Sequence, residues 1–372
     1  MSKKHSKHAK LTLRDGGEFA PNELSFVGAK CDVITNLVAQ LAELLKEKIK
    51  MGYVDASHNK ALEAPVLDVY TYHASSNTTI SASVEKSKFN DRIRFSEYDL
   101  VCVNGNHFSA KKQVVFLDPE KENSIAKRID QLDDVQFFIA TEEHVDIFDC
   151  LLDAYPAYID LPVYSIQSLD WIALHINSQL EIANLNGLVL VGGKSTRMGA
   201  DKSQLAYHNM PQSDYAVQLL ESLGLDTFVS VRAGQEIEKH KSITDAFVGL
   251  GPFGAICSAF MKNPNEAYLV LATDLPYISE ELLTLLISKR NSKKIATAIK
   301  GKAAKFMEPL ITIWEPKAYP ILLSYLAQGY SCPRKILINS DVEIIEVEDA
   351  LIRNVNTPEE FENVKKELKR LN

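Results

Sequence analysis

Asn186-Gly187-Leu188-Val189-Leu190-Val191-Gly192-Gly193-Lys194-Ser195-Thr196-Arg197-Met198-Gly199-Ala200-Asp201-Lys202 is the stretch on which the reading of this chain turns. The apolar run Leu188 to Val191 is long enough for one buried strand. It stops abruptly at Gly192 and Gly193. Two glycines after a strand let backbone N–H groups close on an anion. Lys194, Arg197 and Lys202 add fixed cations to the same loop, which suits a polyphosphate. The loop is not a Walker A sequence, because Gly-Lys-Ser/Thr does not fall at the required spacing, and it is not Gly-x-Gly-x-x-Gly. With no ligand to hold, the same order of residues would be an ordinary strand-to-helix turn carrying exposed charges.

Around this stretch the chain alternates strands and helices. Asp226 to Arg232, Tyr268 to Thr273, Lys294 to Ile299 and Asp341 to Val347 read as strands. A helix over Asp214 to Leu223 ends at Gly224, and Ser279 is placed to cap the helix through Leu282 and Leu286. Thr357-Pro358-Glu359-Glu360 is a capping box with proline in the first helical position. Alternation of this kind predicts an α/β fold, a mostly parallel sheet with helices on both faces. Ligands of such sheets bind beyond the carboxyl ends of the strands. The turn Thr273-Asp274-Leu275-Pro276 lies at one such end. A carboxylate there can hold Mg2+ against triphosphate oxygens, and Pro276 stiffens the chain beyond it. A helix-entry turn with a solvated aspartate is the plain alternative.

Composition sets the bounds. The chain has 372 residues, enough for two domains with their own cores. Hydrophobic residues make up 46% and charged residues 24%, as in ordinary globular proteins. The net charge of −8 argues against nucleic acid as a partner, since phosphate contacts need a basic face. The basic start (Lys3, Lys4, His5, Lys7, His8, Lys10) reads as a solvated tail, because no apolar stretch follows that would make it a signal peptide. No run reaches membrane-spanning length, so no membrane partner is expected. Cys31, Cys102, Cys150, Cys257 and Cys332 lie far apart, form no Cys-x-x-Cys pair and suit reduced thiols in the cytoplasm.

The Leu190-to-Lys202 sequence resembles the signature of the molybdenum cofactor guanylyltransferase family, Leu-Ala-Gly-Gly-x-Ser-x-Arg-Met-Gly-x-Asp-Lys, with Val191 in place of alanine. The resemblance runs through residues 186–372, about half of the chain. It implies a Rossmann-like nucleotidyltransferase fold, a glycine loop (Val191, Gly192, Gly193) around the nucleotide, and Arg197 and Lys202 on its phosphates. In the family, Asp274 falls in a Cys-Asp-x-Pro motif whose aspartate binds the metal, with Thr273 replacing the cysteine here. Asp245 precedes Gly251-Pro252-Phe253-Gly254, similar to the family's Asp…Gly-Pro-Leu-x-Gly segment that helps bind the nucleotide. Glu308-Pro309-Leu310 resembles the family's late strand lead-in, and Asn354-Val355-Asn356-Thr357-Pro358 its Asn-x-Asn-Thr-Pro ending. Asn354 and Asn356 would lie on the acceptor and metal side, although asparagine ahead of a capping box is also plain turn chemistry. One departure is Ser230, which stands where the family carries its nucleobase-side asparagine, with Arg232 close by.

The resemblance therefore implies transfer of GMP from GTP, with Mg2+, to the phosphate of a molybdopterin acceptor. Cytidylyl transfer to the same cofactor and transfer to a sugar phosphate are the rival enzyme readings. A non-catalytic cofactor carrier or regulatory protein is the rival from another class. Gly192-Gly193, where cytidylyl relatives tend to have Ala-Gly, favours guanylyl.

Residues 1–183 read as a separate α/β domain, with a boundary between Glu181 and Asn186 and a nucleotidyltransferase domain over 184–372. Leu24 to Gly28, Asp99 to Val103, Gln113 to Leu117 and Val135 to Ala140 suit strands; Asp32 to Ile49 and Gln167 to Leu180 suit helices. The order weakly resembles the molybdopterin-guanine dinucleotide adaptor proteins, which have a P-loop fold. A Walker A beginning at Gly28 would need glycine and lysine where Val33 and Ile34 stand, and Asn104 replaces the adaptor's acidic residue. Only Thr35 keeps its hydroxyl position. Without lysine and glycine this half is expected to bind no nucleoside triphosphate. It would instead dock the acceptor cofactor, molybdoenzymes or cofactor-delivery proteins. His58, His73, His107 and His144 share no ligand spacing and read as packing or surface residues.

Overall fold

A computed structural model of the chain describes residues 11–15, 17–56, 69–72, 78–81, 87–191, 205–232, 234–235, 239–355 and 357–371. They divide into two compact units, Gly16–Glu181 and Ile182–Asn372, residues 11–15 belonging with the second.

The first unit is built on a six-stranded sheet. Its strands are β1 (Glu23–Val27), β2 (Met51–Val54), β5 (Leu100–Asn104), β6 (Lys112–Leu117), β7 (Val135–Ala140) and β8 (Val163–Ser165), and β3 (Val69–Tyr72) and β4 (Thr78–Ser81) pair separately as an antiparallel hairpin. The order β2-β5-β1-β6-β7-β8 is parallel throughout. Phe26, Phe116, Phe137 and Ile139 face the helix Cys31–Leu45 on one side, while Val27, Val115, Leu117 and Phe138 form a core on the other. Burial on both faces is why these strands read as continuous apolar runs.

The second unit carries a seven-stranded sheet of order β11-β10-β9-β12-β14-β13-β15. Here β9 is Leu185–Leu190, β10 Asp226–Val231, β11 Ser242–Thr244, β12 Ala267–Ala272, β13 Ala296–Gly301, β14 Glu308–Trp314 and β15 Val342–Val347. All are parallel except β14, which runs antiparallel to both β12 and β13. Alternate residues of the central strands serve two cores. Val189, Leu269, Leu271 and Ile313 pack with Leu220 and Leu283, and Leu188, Tyr268, Val270 and Trp314 pack with Phe253, Ile256 and Phe260.

The expected helix signals hold their positions. Gly224, in the left-handed region at φ 78°, follows the helix Gln212–Ser222. The Ser279 side chain accepts from the Leu282 N–H at the head of Glu280–Ser288. Thr357 and Glu360 exchange side-chain-to-backbone hydrogen bonds of 3.1 and 3.2 Å, closing the capping box of Pro358–Leu371. Several elements of this unit went unread, among them short β11, the strand β14 with its antiparallel direction, and the helices Ala318–Ala327 and Pro333–Ile338.

Candidate active site at the carboxyl edge of the second sheet

From β9 the chain steps to β10 and β11 on one side, then returns to β12 on the other. The strand order therefore reverses at β9, and the crevice beyond the carboxyl ends of β9 and β12 is where an open α/β sheet binds its ligand. Val191 is buried at the end of β9. Gly192, Gly193, Arg197 and Lys202 fall in 192–204, and Asn356 at a single further position, outside the described residues.

Asp274 sits two residues past the end of β12. Its carbonyl oxygen accepts from the Val355 N–H at 2.9 Å, which brings the segment after β15 against the aspartate turn. The rest of the turn is held by side chains from 208–215. His208 Nε2 lies 2.9 Å from the Pro276 carbonyl oxygen, Gln212 donates to the Leu275 carbonyl at 3.4 Å, and the Tyr215 hydroxyl donates to the Ile278 carbonyl at 3.1 Å. A carbonyl only accepts, so His208 Nε2 carries the proton. Its ring stacks on Tyr215 with centroids 3.7 Å apart. Burial lowers the His208 pKa, which the Pro276 hydrogen bond partly offsets. Each of these bonds fixes the backbone that carries Asp274.

The reversed strand β14 delivers a second carboxylate. Because β14 is antiparallel to β12 with Leu271 opposite Ile311, continuing that register sets Glu308 across from Asp274. Burial raises the Glu308 pKa. The Arg334 guanidinium, 3.4 Å away, and the Leu310 N–H at 3.3 Å pull against that rise, the negative charge of Asp274 adds to it, and a hydrogen bond from the Asn354 side chain opposes it. Asp274, Glu308 and Asn354 thus gather at one place, from just past β12, from the start of β14 and from the segment well after β15. The burial that raises the hydroxyl pKa of Tyr207 is likewise reinforced by the charges of Asp274 and Glu360. Glu308, Tyr207 and His208 were not singled out as site residues. The signal available for Glu308 was an acid opening an apolar strand, which points nowhere until the strand's partner and direction are known.

Ser230 and Asp245 form a second group, at the ends of β10 and β11, with β9 between them and the first. The Ser230 hydroxyl donates to Asp245 Oδ1 at 2.6 Å, and the Asp245 N–H donates to the Val231 carbonyl at 2.8 Å. Burial raises the Asp245 carboxyl pKa, opposed by the Ser230 hydrogen bond and the charge of Arg232. Ser258 fixes the loop beyond: its Oγ accepts from the Ala246 N–H at 2.9 Å and donates to the Gly254 carbonyl at 2.6 Å. A side chain at Gly254 would put its Cβ 2.2 Å from the Phe247 carbonyl oxygen, so only glycine lets the helix Pro252–Lys262 approach this loop.

The described donors around Asp274 are carboxylate and amide oxygens, the chemistry that a hard divalent cation takes. Such a donor set fits Mg2+ and does not suit a thiophilic metal.

Comparison with known proteins finds similarity in the half of the chain that carries this sheet. The model of the MobA-like NTP transferase domain matches residues 187–343. A molybdenum cofactor biosynthesis bifunctional protein of Synechocystis sp. is 32% identical over 182 residues, 48% of this chain, and this chain covers 52% of that one, about half of its length. A protein of Flavobacterium johnsoniae named a probable molybdenum cofactor guanylyltransferase is 26% identical over 48% of this chain and 96% of its own. The solved molybdopterin-guanine dinucleotide biosynthesis protein A of Archaeoglobus fulgidus aligns with a TM-score of 0.42 and 20% identity, over 50% of this chain and 99% of that one. By these comparisons the second half of the chain is similar to MobA-like NTP transferase domains, whose model it matches over residues 187–343.

Proposed function

We propose that this chain transfers GMP from GTP to the terminal phosphate of molybdenum-bearing molybdopterin. The observation that supports the reading is the meeting of Asp274, Glu308 and Asn354 at the carboxyl edge of the second sheet, beside the end of β9. An acceptor phosphate oxygen forms a bond to the α-phosphorus, and the bond from that phosphorus to the pyrophosphate oxygen breaks. The attacking phosphate is already ionised near neutral pH, so no protein base is needed. Catalysis then rests on alignment and on offsetting charge. Asp274, with Glu308 and Asn354 beside it, would hold Mg2+, which supplies positive charge for the phosphate oxygens. Arg197 and Lys202 offset charge on the triphosphate. Ser230 and Asp245, on the far side of β9, would meet the nucleoside.

Ser230 supports a second reading. A hydroxyl that already donates to Asp245 presents less hydrogen-bonding capacity to a base than an asparagine amide would. The cytidylyl alternative is therefore tested directly. Calorimetric titration with Mg2+ should give tighter binding of GTP than of CTP; the reverse order would replace guanylyl by cytidylyl transfer and leave the crevice and its metal side as described.

Lys202→Ala should weaken GTP binding by roughly one to two decades. The basis is one charge-assisted contact in a partly dry site, worth about 1.5–3 kcal/mol at 1.4 kcal/mol per decade. The same titration checks it. Unchanged affinity would leave Lys202 as a solvated surface charge with no part in binding.

A further inference from the structure

The first unit holds a cluster that nucleotidyl transfer does not use. Beyond β1 the backbone turns through Gly28, in the left-handed region at φ 94°, and enters the helix at Cys31. A phosphate loop would still be irregular there, but Val33 and Ile34 already lie in the first helical turn, with Ile34 fully buried. The loop has been replaced by a helix start whose first residue is a half-buried cysteine.

The turn after β5 faces that cysteine. Its Gly105 N–H donates to the Phe26 carbonyl at 2.8 Å, and a Cβ on Gly105 would lie 2.8 Å from that of Val27, so the turn lies directly on the end of β1. Asn106 Nδ2 donates to the Ala29 carbonyl at 2.9 Å. The packing sets His107 Nε2 3.2 Å from Cys31 Sγ, and Asn106 Nδ2 3.9 Å from the same sulfur. Asp55, just past β2, lies 3.8 Å from His107 Nε2. Its carboxylate is itself fixed by Asn104 Nδ2 at 2.9 Å and the Tyr53 hydroxyl at 2.9 Å. His107 stands between a thiol and a held carboxylate.

We propose that Cys31 and His107 form a thiolate site that takes up small-molecule disulfides of the glutathione type as mixed disulfides. His107 accepts the thiol proton, and Asp55 stabilises the imidazolium. The thiolate then attacks one sulfur of the disulfide, the Cys31 S–S bond forms and the original S–S bond breaks. The departing thiolate carries away the electron pair and takes the proton from His107. The disulfide is the oxidant, so no further co-reactant is required. A thiolate at a helix N-terminus beside imidazolium is the arrangement that makes a cysteine reactive. Burial acts to raise the Cys31 pKa, but hydrogen bonds from Asn104, His107 and Asn106, with the charge of His107, bring it below the ordinary thiol value. Burial raises the Asp55 pKa in the same way, and hydrogen bonds from Asn104, the Ala56 N–H and Tyr53, with the charge of His107, bring that carboxyl below its ordinary value too.

The test treats the full chain with oxidised glutathione under native conditions and maps adducts by mass spectrometry over time. Cys332, which is exposed, serves as the internal reference, and buried Cys102 and Cys257 report unfolding. At pH 7 Cys31 should be modified at least about tenfold faster than Cys332, following its larger thiolate fraction. His107→Gln should lose most of that advantage while Cys332 reacts as before. In the wild-type chain the Cys31 rate should stay high well below the pH at which Cys332 slows; Asp55, Asp32 and Lys30 are the other charged groups near the thiol, and Lys30 pairs with Glu120 at 3.5 Å. A Cys31 rate equal to that of Cys332, or a pH profile matching it, overturns the proposal, and so does an unchanged Cys31 rate in His107→Gln. The wild-type pH profile decides the matter if the variant exposes Cys102.

Discussion

Asp274→Ala is expected to lower Mg2+-dependent pyrophosphate release on the order of a thousandfold or more, with little loss of stability. Removing a single group that stabilises developing charge costs about 10²–10³ in turnover, and under the proposed metal role the loss of the cation would add to that. Folding should tolerate the change because the turn is fixed by other groups. The bond from Val355 uses the Asp274 carbonyl, and His208, Gln212 and Tyr215 bind the carbonyls of Pro276, Leu275 and Ile278. None of these bonds involves the carboxylate. Removing a negative charge beside Glu308 should also relax the rise that Asp274 adds to the Glu308 pKa. The measurement is a coupled pyrophosphate assay with GTP and a molybdopterin acceptor, paired with a melting curve. Activity within a few-fold of wild type would remove Asp274 from the metal role; a collapsed melting temperature would make its role structural.

Arg290→Ala is expected to destabilise the second unit by about 3–5 kcal/mol, the usual effect of leaving one charge of a buried pair alone. Arg290 grips Glu315 with two bonds, Nε to Oε1 at 2.7 Å and a terminal nitrogen to Oε2 at 2.9 Å, and that nitrogen also donates to the Ala183 carbonyl at 2.8 Å. Glu315 is 1% exposed, so water cannot replace the lost guanidinium. Arg290 follows the helix Glu280–Ser288, Glu315 follows β14 and Ala183 precedes β9. The pair thus ties three elements at the end of the sheet opposite the carboxyl ends of β9 and β12. For a unit of this size such a loss corresponds to a fall in Tm of roughly 6–20 °C, at about 2–4 °C per kcal/mol. Calorimetry on the full chain reads it. In Arg290→Ala/Glu315→Ala no lone buried charge remains, so the double variant should recover part of the loss. A fall below about 2 °C in the single variant would mean that water reaches Glu315 and that the pair is worth no more than an exposed one.

Much of the second unit was legible because its signals are local. Leu188 to Val191 announces a strand by its apolar run, and Gly224, Ser279 and the Thr357–Glu360 box mark helix ends through bonds made within a few residues. Asp274 stood out because it follows a buried strand directly. For the same reason Val33 and Ile34 alone showed that no Walker A sequence begins at Gly28.

What the tertiary structure decided is which distant groups meet. Glu308 reaches Asp274 only because β14 runs against β12, and strand direction is set by how the chain crosses the sheet. Asn354 arrives because Val355 docks on the Asp274 carbonyl, and Asp245 is joined to Ser230 across two strands. Cys31 and His107 are 76 positions apart and touch because β1 and β5 are neighbours. The sequence by itself determined those elements whose capping bonds or apolar periods close within a short segment. The sheet determined the site, since its strand order and direction follow from burying both faces at once, a condition that no single segment carries.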